Sequence, residues 1–154
     1  MKHKQINPKD LVIVFDIDGT IANIEHRRNW VRTKPKNWKA FIKAIPQDTP
    51  HNDILFLNHT FHQLGSTNIL CSGRSEPERA ATVEWMERHG VNYTELFMRA
   101  AGDYRDDGIV KTELLAKIEE KYGKPFLWFD DRQRVVDAIR KCGIRVLQVA
   151  PGNF

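Results

Sequence analysis

The sequence predicts an α/β fold: a parallel sheet with helices on both faces, three layers deep, carrying one small insertion after its first strand. Two observations predict it. Short apolar runs alternate with segments of helical periodicity along the whole chain, and such alternation implies parallel strands joined by helical crossovers. The first run, Leu11-Val12-Ile13-Val14-Phe15, stops abruptly at Asp16-Ile17-Asp18-Gly19-Thr20. Its acids therefore lie at the carboxyl edge of the sheet, where open α/β folds bind ligands.

Taken in order, the run at 11–15 reads as a buried strand. A basic segment follows, with a short helix near residues 37–45 and a turn bracketed by Pro46 and Pro50. Residues 53–64 place Ile54, Leu57, Phe61 and Leu64 on one helical face, and Gly65 is the stop. Residues 67–71 read as the second strand, ending in Ser72-Gly73-Arg74. Ser75-Glu76-Pro77-Glu78 has the form of a capping box with proline in the first turn. The helix it opens runs to about His89 and stops at Gly90. Residues 95–99 fit a short strand. Val110, Leu114, Leu115 and Ile118 share one helical face, and Gly123 ends that helix. Phe126-Leu127-Trp128-Phe129 is a further strand, which stops again at acids, Asp130-Asp131. Residues 133–142 form a helix closed by Gly143, and residues 145–149 a last strand. With no repeat, low-complexity tract or long linker, residues 1–154 are expected to form one Rossmann-like domain, with residues 27–50 as a small basic lid over the acidic edge.

Composition narrows the classes. With 41% hydrophobic and 29% charged residues the chain is an ordinary globular protein, and no apolar run is long enough to span a membrane. The start, Met1-Lys2-His3-Lys4-Gln5, is basic, but only five apolar residues follow before the acids. That is a core strand and not a signal peptide, so a cytoplasmic protein is expected. Cys71 and Cys142 read as reduced, small core residues. A Cys-x5-Arg nucleophile at Cys71 is excluded, because the position needed for arginine holds Pro77.

The net charge of +4 is unevenly spread. Arg27, Arg28, Arg32, Lys34, Lys36, Lys39 and Lys43 give one acid-free segment +7, which leaves −3 for the remainder. Trp30, Trp38 and Phe41 are interleaved. Basic side chains among aromatic faces suit a nucleic-acid backbone and its bases. They equally suit a solvated segment whose aromatics anchor it to the body.

Strand ends bring Asp16, Asp18, Ser72, Asp130 and Asp131 to one edge. Four carboxylates in close quarters repel by about 4 kcal/mol per close pair at an effective dielectric of about 20, so the cluster calls for a cation. Hard oxygen ligands without cysteine or histidine favour Mg²⁺, a structural calcium site being the alternative. Such a site with a hydroxyl and a lysine holds the parts needed for phosphoryl transfer. Lys111 is the natural lysine. It opens a helix after Asp106-Asp107-Gly108, where the helix dipole disfavours a cation, so it is expected to point back at the acids. Two other motifs are discounted. Arg88-His89-Gly90 is an ordinary helix stop, and His59 with His62 has no further zinc ligands nearby.

Asp-Ile-Asp-Gly-Thr at 16–20, Cys-Ser-Gly-Arg at 71–74, Lys111 and Phe-Asp-Asp-Arg at 129–132, in that order, resemble the haloacid-dehalogenase superfamily of phosphatases. The resemblance covers the whole chain. It implies that Asp16 is the nucleophile, taking the phosphoryl group as an aspartyl phosphate, and that Asp18 is the general acid and then the general base. Ser72 and Lys111 would hold phosphate oxygens. Mg²⁺ would be held by Asp16, the backbone carbonyl of Asp18, Asp130 and Asp131. Leu96-Phe97-Met98-Arg99, Arg105-Asp106-Asp107-Gly108-Ile109-Val110-Lys111 and Gln148-Val149-Ala150-Pro151-Gly152-Asn153-Phe154 narrow the likeness. They are similar to the 3′-phosphatase domain of T-even phage polynucleotide kinase–phosphatases. That narrower likeness adds Thr20, Arg27, Gly73, Arg74 and Asp107 as substrate-binding residues. Arg27 and Arg74 would grip phosphate, and Asp107, one helical turn before Lys111, would orient the lysine, although it also fits a helix N-cap.

Two departures accompany the resemblance. The chain has no G-x-x-x-x-G-K-[ST] string, so it is not expected to phosphorylate 5′ ends by that route and leaves room for a separate kinase or ligase as partner. Asn153 stands where aspartate is expected. The leading expectation is therefore a Mg²⁺-dependent phosphatase for the 3′ ends of DNA or RNA, with no membrane partner and with a monomer compatible. A phosphatase of small monoesters such as nucleoside monophosphates is the alternative, and a non-catalytic module that binds nucleic-acid ends is a third reading.

Overall fold

A computed structural model of the protein describes residues 4–154; the basic start at residues 1–3 lies outside them. The elements are β1 (Val12–Phe15), β2 (Ala22–Asn23), α1 (Glu25–Arg32), α2 (Trp38–Lys43), β3 (Thr49–Pro50), α3 (Asn52–Gln63), β4 (Thr67–Ser75), α4 (Arg79–Arg88), β5 (Glu95–Arg99), α5 (Asp107–Tyr122), β6 (Leu127–Asp130), α6 (Gln133–Lys141) and β7 (Val146–Gln148). Five strands form one parallel sheet in the order β5-β4-β1-β6-β7.

The central strand is apolar throughout because both of its faces are covered. Val12 and Val14 pack toward Val110, Leu114 and Ile118 of α5 and Val135, Val136 and Ile139 of α6. Ile13 and Phe15 face the other way, toward Ile54 of α3 and Trp85 and Met86 of α4. Phe15 stacks on Phe129 of the neighbouring strand with ring centroids 4.9 Å apart. The three-layer α/β fold expected from the sequence is the one observed.

Several expectations are corrected in detail. Leu64 follows the end of α3 and is half exposed, so it does not complete that helix's apolar face. Ser75 does not cap a backbone N–H; its hydroxyl donates to Glu78 Oε1 at 3.0 Å across a 3-10 turn, and α4 begins only at Arg79. Cys71 is buried but Cys142 is exposed, because it follows the last turn of α6 where the chain leaves the core. At the start of α5 the capping residue is Asp106, which accepts from Gly108 N at 2.9 Å, and not Asp107.

The basic insertion has a closed base. β2 and β3 form a two-residue antiparallel pair, Ala22 opposite Pro50 and Asn23 opposite Thr49. The insertion thus leaves and rejoins the body at one point, just beyond the Asp16–Thr20 turn.

Candidate active site

β1, β4 and β6 lie side by side, so their carboxyl ends deliver Asp16, Ser72 and Asp130 to one edge. The chain turns sharply after β1: Thr20 N and Ala22 N both donate to Ile17 O, and Gly19 has φ +81°. A side chain at Gly19 would meet Asp131 Oδ2 at 2.1 Å, so only glycine lets the two loops approach this closely.

Asp16, Asp130 and Asp131 are buried, and each offers an oxygen within 4.8 Å of the others. Lys111 reaches into this group from the first turns of α5. Its Nζ donates to Asp16 Oδ1 at 2.7 Å and to Asp130 Oδ2 at 2.8 Å. Its pKa is driven by burial, which lowers it, against Asp130 and Asp16, which win and hold it well above the usual value. Asp16 is pushed well above the carboxylate range by burial and by the charge of Asp130, with Lys111 opposing. Asp131 is raised to about 6 by burial and by Asp130. One ammonium thus leaves the three acids short of positive charge. Three carboxylates with no sulfur or imidazole among them are the donor set of a hard divalent cation, and the site fits one.

Asp18 is placed differently from the expectation of four clustered acids. Its side chain turns away from the other three and lies between two arginines: Arg27 Nη2 donates to Asp18 Oδ1 at 2.9 Å and Arg74 Nε to the same oxygen at 3.0 Å. Burial raises its pKa, but the guanidinium groups of Arg74 and Arg27 outweigh that and hold it at about 2.

Both arginines also grip Asp48, a residue that sequence reasoning missed. Arg27 Nε and Nη2 reach Asp48 Oδ1 and Oδ2 at 2.7 Å each, Arg74 Nη2 reaches Oδ2 at 3.1 Å, and His26 Nε2 lies 2.7 Å from Oδ1. Trp85 Nε1 fixes the backbone by donating to Asp48 O at 2.7 Å. Arg27 is fully buried with Phe41 4.2 Å below its guanidinium, and its Nη1 is buried without a partner among the described residues. A buried guanidinium N–H without an acceptor is available to an anion.

The remaining expected residues fall nearby. Ser72 Oγ accepts from Arg74 N at 3.2 Å, so its own proton is free to donate outward. Thr20 Oγ1 donates to Asp16 Oδ2 at 3.1 Å. Gly73 lies where an added Cβ would sit 2.3 Å from Asp107 Oδ1. Asp107 is 3.9 Å from Lys111 Nζ, beyond hydrogen-bond reach, and is held instead by Arg99 Nη2 at 3.0 Å. Arg28, which the sequence marks only as part of the basic segment, places Nη2 3.4 Å from Asp131 Oδ2, and nothing in the sequence singles out Arg99 as a site residue. Burial pushes the Cys71 thiol up, which agrees with its exclusion as a nucleophile.

Residues 10–154 match the family described as the polynucleotide kinase PNKP phosphatase domain. The chain belongs to this family. This PNKP-type phosphatase domain is also similar to two chains of the Pnkp1/Rnl/Hen1 RNA repair complex. One is 27% identical with a TM-score of 0.79, the alignment covering 98% of this chain and 46% of that one. The other is 30% identical with a TM-score of 0.77, covering 98% and 50%. The protein thus spans about half the length of those relatives. A hydrolase from Streptococcus pneumoniae TIGR4, 15% identical, shares the fold with a TM-score of 0.67 over 93% of this chain and 94% of that one. The PNKP-type domain is therefore a phosphatase of the haloacid-dehalogenase fold. Among its described residues no helix is long and apolar enough to cross a membrane.

Proposed function

We propose that the protein is a Mg²⁺-dependent phosphomonoesterase that removes 3′-phosphate from polynucleotide ends through an aspartyl phosphate on Asp16. The observation that carries this reading is the Lys111 bridge between Asp16 and Asp130 beside Asp131, with two buried arginines facing the same edge. Likeness to chains of the Pnkp1/Rnl/Hen1 RNA repair complex supports RNA ends among the substrates and other repair proteins, such as a separate kinase or ligase, among the partners.

Mg²⁺ would be held by the carboxylates of Asp16, Asp130 and Asp131 and the backbone carbonyl of Asp18, and when bound it neutralises charge on the acids and on the phosphoryl oxygens. The chain's own residues do the rest. Ser72, Lys111, Arg27 and Arg74 bind phosphate oxygens, with Thr20 orienting the Asp16 carboxylate and Gly73 leaving room for Asp107. An Asp16 oxygen attacks phosphorus, the bond from phosphorus to O3′ breaks, and Asp18 gives its proton to the leaving oxygen. Asp18 then takes a proton from water, which attacks phosphorus and releases Asp16 and inorganic phosphate.

The arginine clamp supplies the proton logic. While Arg27 and Arg74 bind Asp18, its carboxyl stays ionised. A phosphate that draws the guanidinium groups onto itself removes the charge that depresses Asp18, so the acid form becomes available when substrate arrives. The test compares phosphate release from a 3′-phosphorylated oligonucleotide, a 5′-phosphorylated one and a nucleoside 3′-monophosphate, with and without Mg²⁺, with Asp16→Asn as the blank. Release from the 3′ oligonucleotide well above the other two is expected. Equal turnover of the mononucleotide would favour the small-substrate reading, and release from 5′ ends alone would overturn the assignment.

A further inference from the structure

The insertion's aromatic residues divide into two kinds. Phe41 is partly buried under Arg27 and serves as an anchor. Trp30 and Trp38 do not: their exposures are 47% and 54%, large for tryptophan. The Trp38 ring is perpendicular to that of Phe41, centroids 5.8 Å apart at 88°, and Lys36 Nζ lies over it, 5.6 Å from its centroid, so an exposed indole and a cation stand together. Asn37 N donates to Trp30 O at 2.6 Å, which holds the two tryptophan segments together. Lys34, Lys36, Lys39 and Lys43 are exposed, and among the described residues none is in an ion pair. This charge is therefore uncompensated, and only two residues, Phe41 and Arg27, stand between Trp38 and Asp18.

We propose that this outer face of the insertion, Trp30 and Trp38 with Lys34, Lys36, Lys39 and Lys43, is the landing surface for the single-stranded nucleotides on the 5′ side of the reacting terminus. The occupant must be long, anionic and rich in flat faces. Unpaired lysines track a phosphate backbone, and exposed indole rings stack bases without regard to sequence. A duplex end would hide those bases, so the surface selects for unpaired ends. The proposal rests on the polynucleotide-end reading above and names the part of the chain that makes the substrate a polymer.

The test separates binding from chemistry. Fluorescence anisotropy of a labelled eight-nucleotide single strand ending in a 3′-hydroxyl reads the surface without any reaction. Trp38→Ala should weaken that binding about tenfold, and Trp38→Phe should restore most of it. Lys36→Ala and Lys39→Ala should each flatten the dependence of log affinity on log salt by about 0.7. In turnover, Trp38→Ala should raise KM for the 3′-phosphorylated octamer about tenfold, while kcat and hydrolysis of p-nitrophenyl phosphate stay unchanged. Unchanged octamer binding in Trp38→Ala and Trp30→Ala overturns the proposal. So does an equal loss on p-nitrophenyl phosphate, which would mark Trp38 as support for Arg27, or equal binding of polyglutamate, which would mark a surface for acidic protein. A wild-type enzyme that hydrolyses p-nitrophenyl phosphate but no 3′-phosphorylated oligonucleotide overturns the polynucleotide reading itself, and the hydroxyl-ended octamer still reports on the surface.

Discussion

Asp48 accepts both Nε and Nη2 of Arg27 at 2.7 Å, and neither side chain is more than 2% exposed. The pair fastens the insertion to the acidic edge of the sheet. Removing one member of a buried ion pair leaves the other uncompensated, at a cost of about 3–5 kcal/mol. Asp48→Ala should therefore lower unfolding free energy by about that amount. Phosphate release should fall about 100-fold, because Arg27 and Arg74 lose the group that orients them. Denaturant unfolding alongside turnover, assayed well below the melting temperature, separates the two effects; full activity in Asp48→Ala would refute the positioning role.

Asp18 makes acid stability predictable. Burial raises its pKa, Arg74 and Arg27 more than reverse this, and the folded value is about 2 against an ordinary 3.8. A depressed carboxyl contributes stability that is present above its unfolded pKa and is lost as pH falls through the folded one. Asp18 should contribute about 2 kcal/mol near neutrality, lost between about pH 4 and pH 2. In Asp18→Asn, denaturation measured across that range should show a correspondingly shallower loss, together with abolished turnover.

The acidic triad should report metal as stability. Asp131 is raised to about 6 by burial and Asp130; a raised carboxyl favours the fold below its unfolded pKa and loses that contribution as pH rises through the folded value. In chelator, then, stability should decline from about pH 4 to about pH 6, and Mg²⁺ should restore it. At 100 times its dissociation constant a ligand adds about 2.7 kcal/mol. Thermal melts should show a larger Mg²⁺ shift at pH 7.5 than at pH 5, and none in Asp130→Asn.

Gly73 tests the packing behind Asp107. A methyl group there would sit 2.3 Å from Asp107 Oδ1, displacing it from Arg99. Gly73→Ala should reduce kcat/KM at least about tenfold and also lower the melting temperature, because the buried Asp107 must leave Arg99 to make room. Unchanged kinetics would show that Asp107 shifts freely.

Local signals carried most of the fold. The strand at Glu95–Arg99 and the ends of α3 and α5 followed from turn glycines and periodicity. Asp16, Asp130 and Asp131 come together because they sit at or just beyond the ends of adjacent strands, and Lys111 reaches them from the early turns of α5. What stayed hidden is set by distance along the chain. Asp48 lies 21 residues from Arg27, in a turn whose local sequence serves only the turn, and nothing nearby signals its two arginine partners. The same holds for Asp18, whose carboxylate is diverted from the other acids by Arg74, 56 residues away. Cys142 was misplaced because periodicity does not say whether a helix's last turn is covered.

The zipped base of the insertion, Ala22 against Pro50 and Asn23 against Thr49, confines variation to its far end. Residues 33–37 are exposed there, and in side-chain hydrogen bonds they bind only their own neighbourhood. That tip is free to grow, shrink or change its chemistry over generations while the acidic edge stays put, so on the proposed reading the choice of substrate would evolve independently of the speed of turnover.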